Sequence, residues 1–401
     1  MPGQARTEQP AGIRAPVFVA LGLLVTLPLA WRYYWPAGGG LDVTGHPIGR
    51  DFINNWVGPQ LAFSGRLATL FDLEAYARAI GEVFGATLPF HNWGYPPFAL
   101  LMLWPLGQMP YFAALSLWTF GLFAAFAGTA ASALPPGERA RAFVLLALAP
   151  ACLINTLGGQ NGFLTGFLLL GGMLWLDRRP WLAGVLFGLL TYKPHLGLAL
   201  PFVLIALGAW RTIAAACATA LVLVAASVLV FGIEPWRAYL TTTSAFQWLL
   251  LERFQGFYPY MMASIYAGGR TFGLPMQAAL ALQACISLPV LAATVWAVRR
   301  TADPRARAAL VVCAAPLLTP YAFNYDLTGV AAVAVWRLCD RTSEPVSPWL
   351  LAAWLAPTLM MPLNMAGLGI APALVLAIYL GELRAILARP AAQPAPAGAA
   401  G

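Results

Sequence analysis

The residues able to do chemistry are few enough to name. The chain carries one lysine, Lys193, and three histidines, His46, His91 and His195. Lys193 and His195 share the break "YKPH" between two short apolar runs. A cation there either snorkels to lipid headgroups or contacts a phosphate or substrate. A sole lysine among many arginines, set beside a proline, favours the contact. Two acids stand out. Asp51 follows Arg50 and precedes "FINNW". A carboxylate so placed is either solvated loop or, set against a hydroxyl proton, a general base. Arg50 beside it is expected to keep it ionised. Asp326, in "PYAFNYDLTGVAAVAVW", sits where an apolar run begins. An acid at membrane depth is costly and is a functional candidate, unless it rests at the interface on a water or a tyrosine. Tyr321, Asn324 and Tyr325 of the same segment, Tyr95 of "WGYPP", and Gln160 and Asn161 of "LGGQNGFLTG" complete the candidate substrate contacts. The two amides either cap helices or offer the donors and acceptors that sugars use.

What must position these residues is a bilayer. Of 401 residues, 60% are hydrophobic and 9% charged, whereas soluble domains carry roughly 25% charged residues. The chain cannot cover itself with a polar surface, so the fold class is an all-α polytopic membrane protein. The net charge of +8 does not signal nucleic acid, because the basic residues come in twos and fours between apolar runs. That pattern orients a chain across a membrane. The five cysteines sit singly, without a CxxC spacing, and histidine is too rare to complete a zinc site. They read as small core residues, and no metal is expected.

Twelve apolar runs lie near residues 16–35, 111–133, 142–157, 162–176, 181–192, 194–210, 212–232, 275–298, 308–319, 326–337, 347–362 and 368–387. The stretch 95–110 is rich in proline and reads as a helix lying at the interface. Counting it as a span inverts the positive-inside distribution of everything after it. With that choice Arg139/Arg141, Arg178/Arg179, Arg211, Arg299/Arg300/Arg305/Arg307, Arg337/Arg341 and Arg384/Arg389 face the cytoplasm, with Arg6 and Arg14. Both termini are then inside. The first apolar run leads into "WRYYW" and suits an uncleaved span better than a signal peptide. One integral-membrane domain is expected over 1–387, and a Pro/Ala-rich disordered cytoplasmic tail over 388–401.

The outer face receives two long segments, 36–110 and 233–274, and short turns at 158–162, 191–195, 319–326 and 361–367. Nearly all the unusual chemistry falls on that side. Residues 71–85 place Phe71, Ala75, Ile80 and Phe84 at helical intervals with acids between, the pattern of an interfacial amphipathic helix. Segment 233–274 is dense in Trp, Tyr and Phe. Such residues form membrane aromatic belts, and they also stack on sugar rings.

The ordered set "DF" at Asp51 with "SGRLATLFD", "WGYPPFALLMLWPLG", "GGQNGFL", "RRPWLAGVLFGLLTYKPHLGLALP" and "LLTPYAFNYDL" resembles the GT-C membrane glycosyltransferases. More narrowly it resembles family 87, polyprenyl-phosphate-dependent mannosyltransferase-like proteins, over about residues 50–330. The resemblance implies a GT-C-like bundle of about twelve transmembrane helices whose first external loop carries interfacial helices. It implies transfer of a monosaccharide, mannose or another hexose, from a polyprenyl-phosphate donor to a glycolipid or glycan acceptor. The site would face the exterior of a bacterial cytoplasmic membrane. The acid of the first external loop maps to Asp51 as catalytic base, with inversion at the anomeric carbon. Lys193, with Arg50 or His195, would neutralise the departing phosphate, and no metal or other cofactor is expected. Mannosyltransferase members carry an aromatic followed by histidines in the late external motif. Here Phe323, Tyr325 and Asp326 stand there with no histidine, which leaves the sugar and acceptor unassigned. Two rival readings are a transporter or flippase of lipid-linked or small solutes, and an O-antigen-ligase-like enzyme. No mirrored halves support the first. The second class tends to keep its chemistry in a late external loop, which 233–274 could supply.

Overall fold

The computed structural model describes residues 15–340 and 348–388. The orientation readings at Arg6, Arg14, Arg341 and Arg389, and the expected tail beyond Ala388, lie outside the described residues.

The described chain is helical apart from one short hairpin. Helix α1 (Ala15–Tyr34) leads through the antiparallel strands β1 (Pro36–Gly38) and β2 (Leu41–Asp42) into α2 (Phe52–Phe63), α3 (Leu73–Phe84) and α4 (Ala99–Gly107). Helices α5 (Tyr111–Ser116) and α6 (Leu122–Ser132) form one rod joined by a π turn, Leu117–Gly121. Then come α7 (Pro136–Ala147), α8 (Pro150–Leu157), α9 (Gly162–Trp175), α10 (Pro180–Leu189), α11 (Leu200–Ala206) and α12 (Trp210–Phe231). The second long segment folds as α13 (Glu234–Ala238), a π turn at Tyr239–Thr243, α14 (Ser244–Arg253) and α15 (Ile265–Thr271). Helices α16 (Met276–Val298), α17 (Pro304–Ala314), α18 (Thr328–Asp340), α19 (Pro348–Met365) and α20 (Ala371–Leu387) complete the bundle.

Local chemistry sets many of these boundaries. Proline occupies the first turn of α7, α8, α10, α11, α17 and α20, where its missing N–H costs nothing. Asp72 caps α3 by accepting from the Ala75 amide at 2.9 Å, and Gly85 ends it in the left-handed region. The buried face of α3 is Tyr76, Ala79 and Ile80. A helix therefore lies within the expected 71–85, but Phe71 precedes it in the turn Leu67–Phe71, and of the four residues expected on its inner face only Ile80 is buried.

Among the described residues four helices are long and apolar enough to cross a membrane: α1, the Tyr111–Ser132 rod, α12 and α16. The α7–α8 pair, bent by 54°, makes a fifth if it counts as one span. The other expected runs form shorter helices. The reason lies in where the short helices sit. Helices α9, α17 and α18 fill the centre, and nearly every residue of α18 is buried. The long α12 lies outside and exposes Leu221, Val222 and Leu229, an apolar surface suited to lipid.

The bundle has two distinct ends. At one, Thr328 at the start of α18 donates to the Gly162 carbonyl at the start of α9, 2.7 Å away. At the other, beyond the far ends of the same helices, Arg307 pairs with Asp177 at 3.1 Å and Arg305 with Asp340. A helix of 14 residues like α9 separates them by about 20 Å at 1.5 Å per residue. The arginines assigned to one side at 178, 305, 307 and 337 thus belong to one end, and the candidate chemistry belongs to the other.

Candidate active site

Asp51 ends the turn that opens α2, a position where aspartate usually caps its own helix. It makes no cap here. Its carboxylate faces a cavity of about 890 Å³ instead. Gln160 donates its Nε2 to Asp51 Oδ2 at 2.5 Å, and His91 Nδ1 lies 3.6 Å from Oδ1. The Asp51 side chain keeps a third of its surface exposed, whereas that of His91 keeps 2%.

Arg50 does not perform the role its adjacency suggests. Its guanidinium is bonded to Asp42 at 3.0 Å, donates to the Tyr33 carbonyl at 2.5 Å, and lies over the Tyr34 ring at 3.9 Å. The ionising partner expected for Asp51 is therefore spent on Asp42, while Arg50 still touches the cavity. Its backbone is in the left-handed region, φ 39°, an uncommon state for a residue with a side chain. The turn is thus pinned to the end of α1 and to the hairpin, and Asp51 is held where it projects.

The second acid is arranged differently. Asp326 has a fully buried side chain and pairs with Lys193 Nζ at 2.7 Å. Its other oxygen accepts from the Phe323 amide at 3.0 Å. Lys193 reaches the cavity, with Nζ 4.6 Å from the Tyr325 ring centre. The lone lysine, which was not among the partners considered for Asp326, takes that place.

Two glycines bring these corners together. Gly159 has φ 54°, and a Cβ on it would lie 2.2 Å from the Gly49 carbonyl and 2.7 Å from Phe52 Cβ. A Cβ on Gly162 would lie 2.1 Å from the Tyr325 carbonyl. The "GGQNG" turn is therefore wedged between the Asp51 turn and the Asp326 turn, with backbone on backbone. Trp118, in the π turn of the Tyr111–Ser132 rod, donates its indole N–H to the carbonyls of Gly159 at 3.1 Å and Gln160 at 3.3 Å. Such π turns recur at functional sites, and here one fixes the residue that grips Asp51.

Asp51, Arg50, Tyr95, Gln160, Lys193, His195, Tyr321, Asn324 and Tyr325 all line the one cavity. Asn161 and Asp326, read as substrate contacts, stand behind its wall. Asn161 donates to the Tyr95 hydroxyl at 2.9 Å, and Tyr95 stacks on Tyr192 at 4.5 Å. Tyr321 is hydrogen-bonded to Gln247 of α14, and His195 sits edge-on to Tyr321. The second long segment closes the cavity with Tyr239, Gln247, Trp248 and Tyr258. Sequence reasoning singled out that segment's aromatics and named His91 among the histidines, but gave His91 no role and did not single out Gln247 or Tyr192. The signal for His91 was present in the scarcity of histidine; its proximity to Asp51 was not, because α2, α3 and their connections intervene in the chain. Burial lowers the His91 pKa below the ordinary histidine value; Asp51 opposes that shift and Arg50 reinforces it. Among the described residues no three His, Cys, Asp or Glu side chains gather as a metal site would need.

The geometry is that of a single large pocket with an open carboxylate, an amide clamp, a partly shielded lysine and an aromatic wall. Such a pocket has the make-up of a small-molecule site. No curated protein matches the chain, and neither does any solved structure. The profile of glycosyltransferase family 87 does match, over residues 93–320. That stretch holds Tyr95, Gln160, Lys193 and His195, with Asp51 before it and Asn324 to Asp326 after it. It covers more than half of the 401 residues, and the chain belongs to glycosyltransferase family 87.

Proposed function

We propose that this glycosyltransferase moves one sugar, mannose or another hexose, from a polyprenyl-phosphate donor to a lipid-linked or glycan acceptor. Transfer takes place at the outer surface of a bacterial cytoplasmic membrane, with both chain termini on the inner side. The observation that carries the reading is the Asp51 carboxylate: at a helix start, it neither caps the helix nor pairs with Arg50, and it opens onto the cavity.

In this reading Asp51 removes the proton from the acceptor hydroxyl. That oxygen bonds to the anomeric carbon from the face opposite the leaving group. The bond from the anomeric carbon to phosphate oxygen breaks, and its electron pair leaves with the polyprenyl phosphate. One displacement inverts the anomeric centre. Lys193 has three N–H donors and uses one on Asp326. The remaining two can meet the phosphate as charge develops, with His195 beside them. Because Asp326 already compensates the lysine, the corner suits a singly charged phosphodiester better than a nucleoside diphosphate. Such a leaving group needs no resident metal to hold it. The aromatic wall of Tyr95, Tyr321 and Tyr325 offers faces and hydroxyls to the sugar.

The purified protein should transfer labelled mannose from a polyprenyl phosphate to a bacterial glycolipid extract. It should not transfer from a nucleotide sugar, should be indifferent to EDTA, and should give an inverted product by NMR. Transfer from the nucleotide sugar, or retention of configuration, would overturn the reading.

A further inference from the structure

His91 is a buried base that the displacement above does not use. Among the described residues neither of its ring nitrogens has a hydrogen-bond partner, although the side chain is 2% exposed. Burial of an imidazole with both nitrogens idle is costly and calls for a reason. The ring lines the cavity, and its Nδ1 is 3.6 Å from Asp51 Oδ1, the oxygen that Gln160 does not hold. Gln160 can donate to Asp51 but cannot take a proton from it.

Resting on the proposed role of Asp51, we infer that His91 is its proton relay: it receives from Asp51 the proton that Asp51 takes from the acceptor. Donor and acceptor displace water as they fill the cavity, so the proton on Asp51 has no solvent to leave by. Asp51 Oδ1–H donates to the lone pair of Nδ1, the carboxylate is regenerated, and His91 becomes an imidazolium. It returns the proton to water once the products leave. The charged and titratable groups around the ring are Asp51, Arg50 and His46, whose ring centre is 6.1 Å away. Arg50 is already paired with Asp42, and Asp51 alone attracts the imidazolium. A gap of 3.6 Å is longer than a hydrogen bond, and catalytic contacts of this kind tighten when substrate binds.

Two measurements test the relay on the full-length protein. Histidine ring NMR, with His46→Gln and His195→Gln assigning the signals, should show His91 titrating below an ordinary histidine. In Asp51→Asn the titration should move lower still, because the carboxylate that favours the imidazolium is gone. An unchanged His91 titration in Asp51→Asn overturns the coupling. In transfer from polyprenyl-phosphate mannose to a glycolipid extract, His91→Gln keeps a polar side chain of similar reach but cannot be protonated. Its kcat should fall on the order of 10²-fold with KM little changed, and added imidazole should restore part of it. His91→Gln at the wild-type kcat, with Asp51→Asn inactive, removes the relay and leaves the base in place. An active Asp51→Asn removes the base itself.

Discussion

Two carboxylates, Asp51 and Asp326, flank the same "GGQNG" turn, and their surroundings could hardly differ more. Asp51 keeps a third of its side chain exposed to the cavity and is approached by an amide and an imidazole. Asp326 is fully buried, spends one oxygen on Lys193 and the other on the Phe323 amide, and lies behind the wall. The difference teaches that acidity at a membrane surface is not by itself a catalytic signal. An acid with idle acceptor capacity facing a cavity is equipped to move a proton. An acid with both oxygens engaged inside the protein is equipped to hold a lysine in place.

The comparison breaks first at Asp51. Asp51→Asn retains the size of the side chain and removes the proposed base. Transfer should fall by about 10³-fold or more, within the range for general acid–base groups, while thermal unfolding in detergent stays near that of the wild type. A variant that unfolds early would make Asp51 a structural acid like its neighbour. At Asp326 the expected loss is of the other kind. Removing one member of a buried ion pair strands the other charge and costs roughly 3–5 kcal/mol. Lys193→Met and Asp326→Leu should each lower the midpoint of unfolding sharply. Together they should recover most of it, because an apolar pair is often tolerated where a lone charge is not. The double variant should still transfer poorly if Lys193 meets the phosphate. Wild-type transfer by it would confine the pair to stability.

The turn between the two acids carries the next largest effect. Gly159→Ala sets a Cβ against the Gly49 carbonyl on a left-handed backbone, so the Asp51 turn and Gln160 must move apart. A displacement near 1 Å at a catalytic group can cost about 10²-fold. The kcat should drop by roughly that factor, and the stability of the Lys193–Asp326 corner should change less. Equal losses in both would show that the glycine supports the whole bundle and not the Asp51 side.

Much of this was legible in the residues. Asp51, Gln160, Lys193, His195 and the Tyr321–Tyr325 segment were named from their rarity and placement, and one cavity gathers them. Legibility stopped where meaning depended on partners distant in sequence. Nothing in "GRDF" says that Arg50 turns back to Asp42 and the end of α1, because adjacency suggests pairing with Asp51. Nothing in "FNYD" says that Asp326 reaches Lys193, 133 positions earlier. The lengths of the spans were not legible for a related reason. Apolar runs reveal burial but do not distinguish burial in protein from burial in lipid. Helices α9, α17 and α18 are apolar because they form the centre, and their length need not match a bilayer.

The smallest effect is expected at the far end of the bundle, and it sharpens the contrast by holding charge constant while varying burial. Arg307 and Asp177 pair at 3.1 Å, a separation near that of Lys193 and Asp326. The Asp177 side chain, however, is 52% exposed, so water solvates it with or without its partner. Arg307 also donates to the carbonyls of Val298 and Thr301, and its loss removes those bonds as well. Because exposed ion pairs contribute about 0–1 kcal/mol, Asp177→Asn is the cleaner change. It should alter unfolding by less than about 1 kcal/mol and leave transfer untouched. If Asp177→Asn destabilised the protein as much as Asp326→Leu, burial could not be what separates the two pairs. The argument that Asp326 serves the fold while Asp51 serves the reaction would then lose its physical basis.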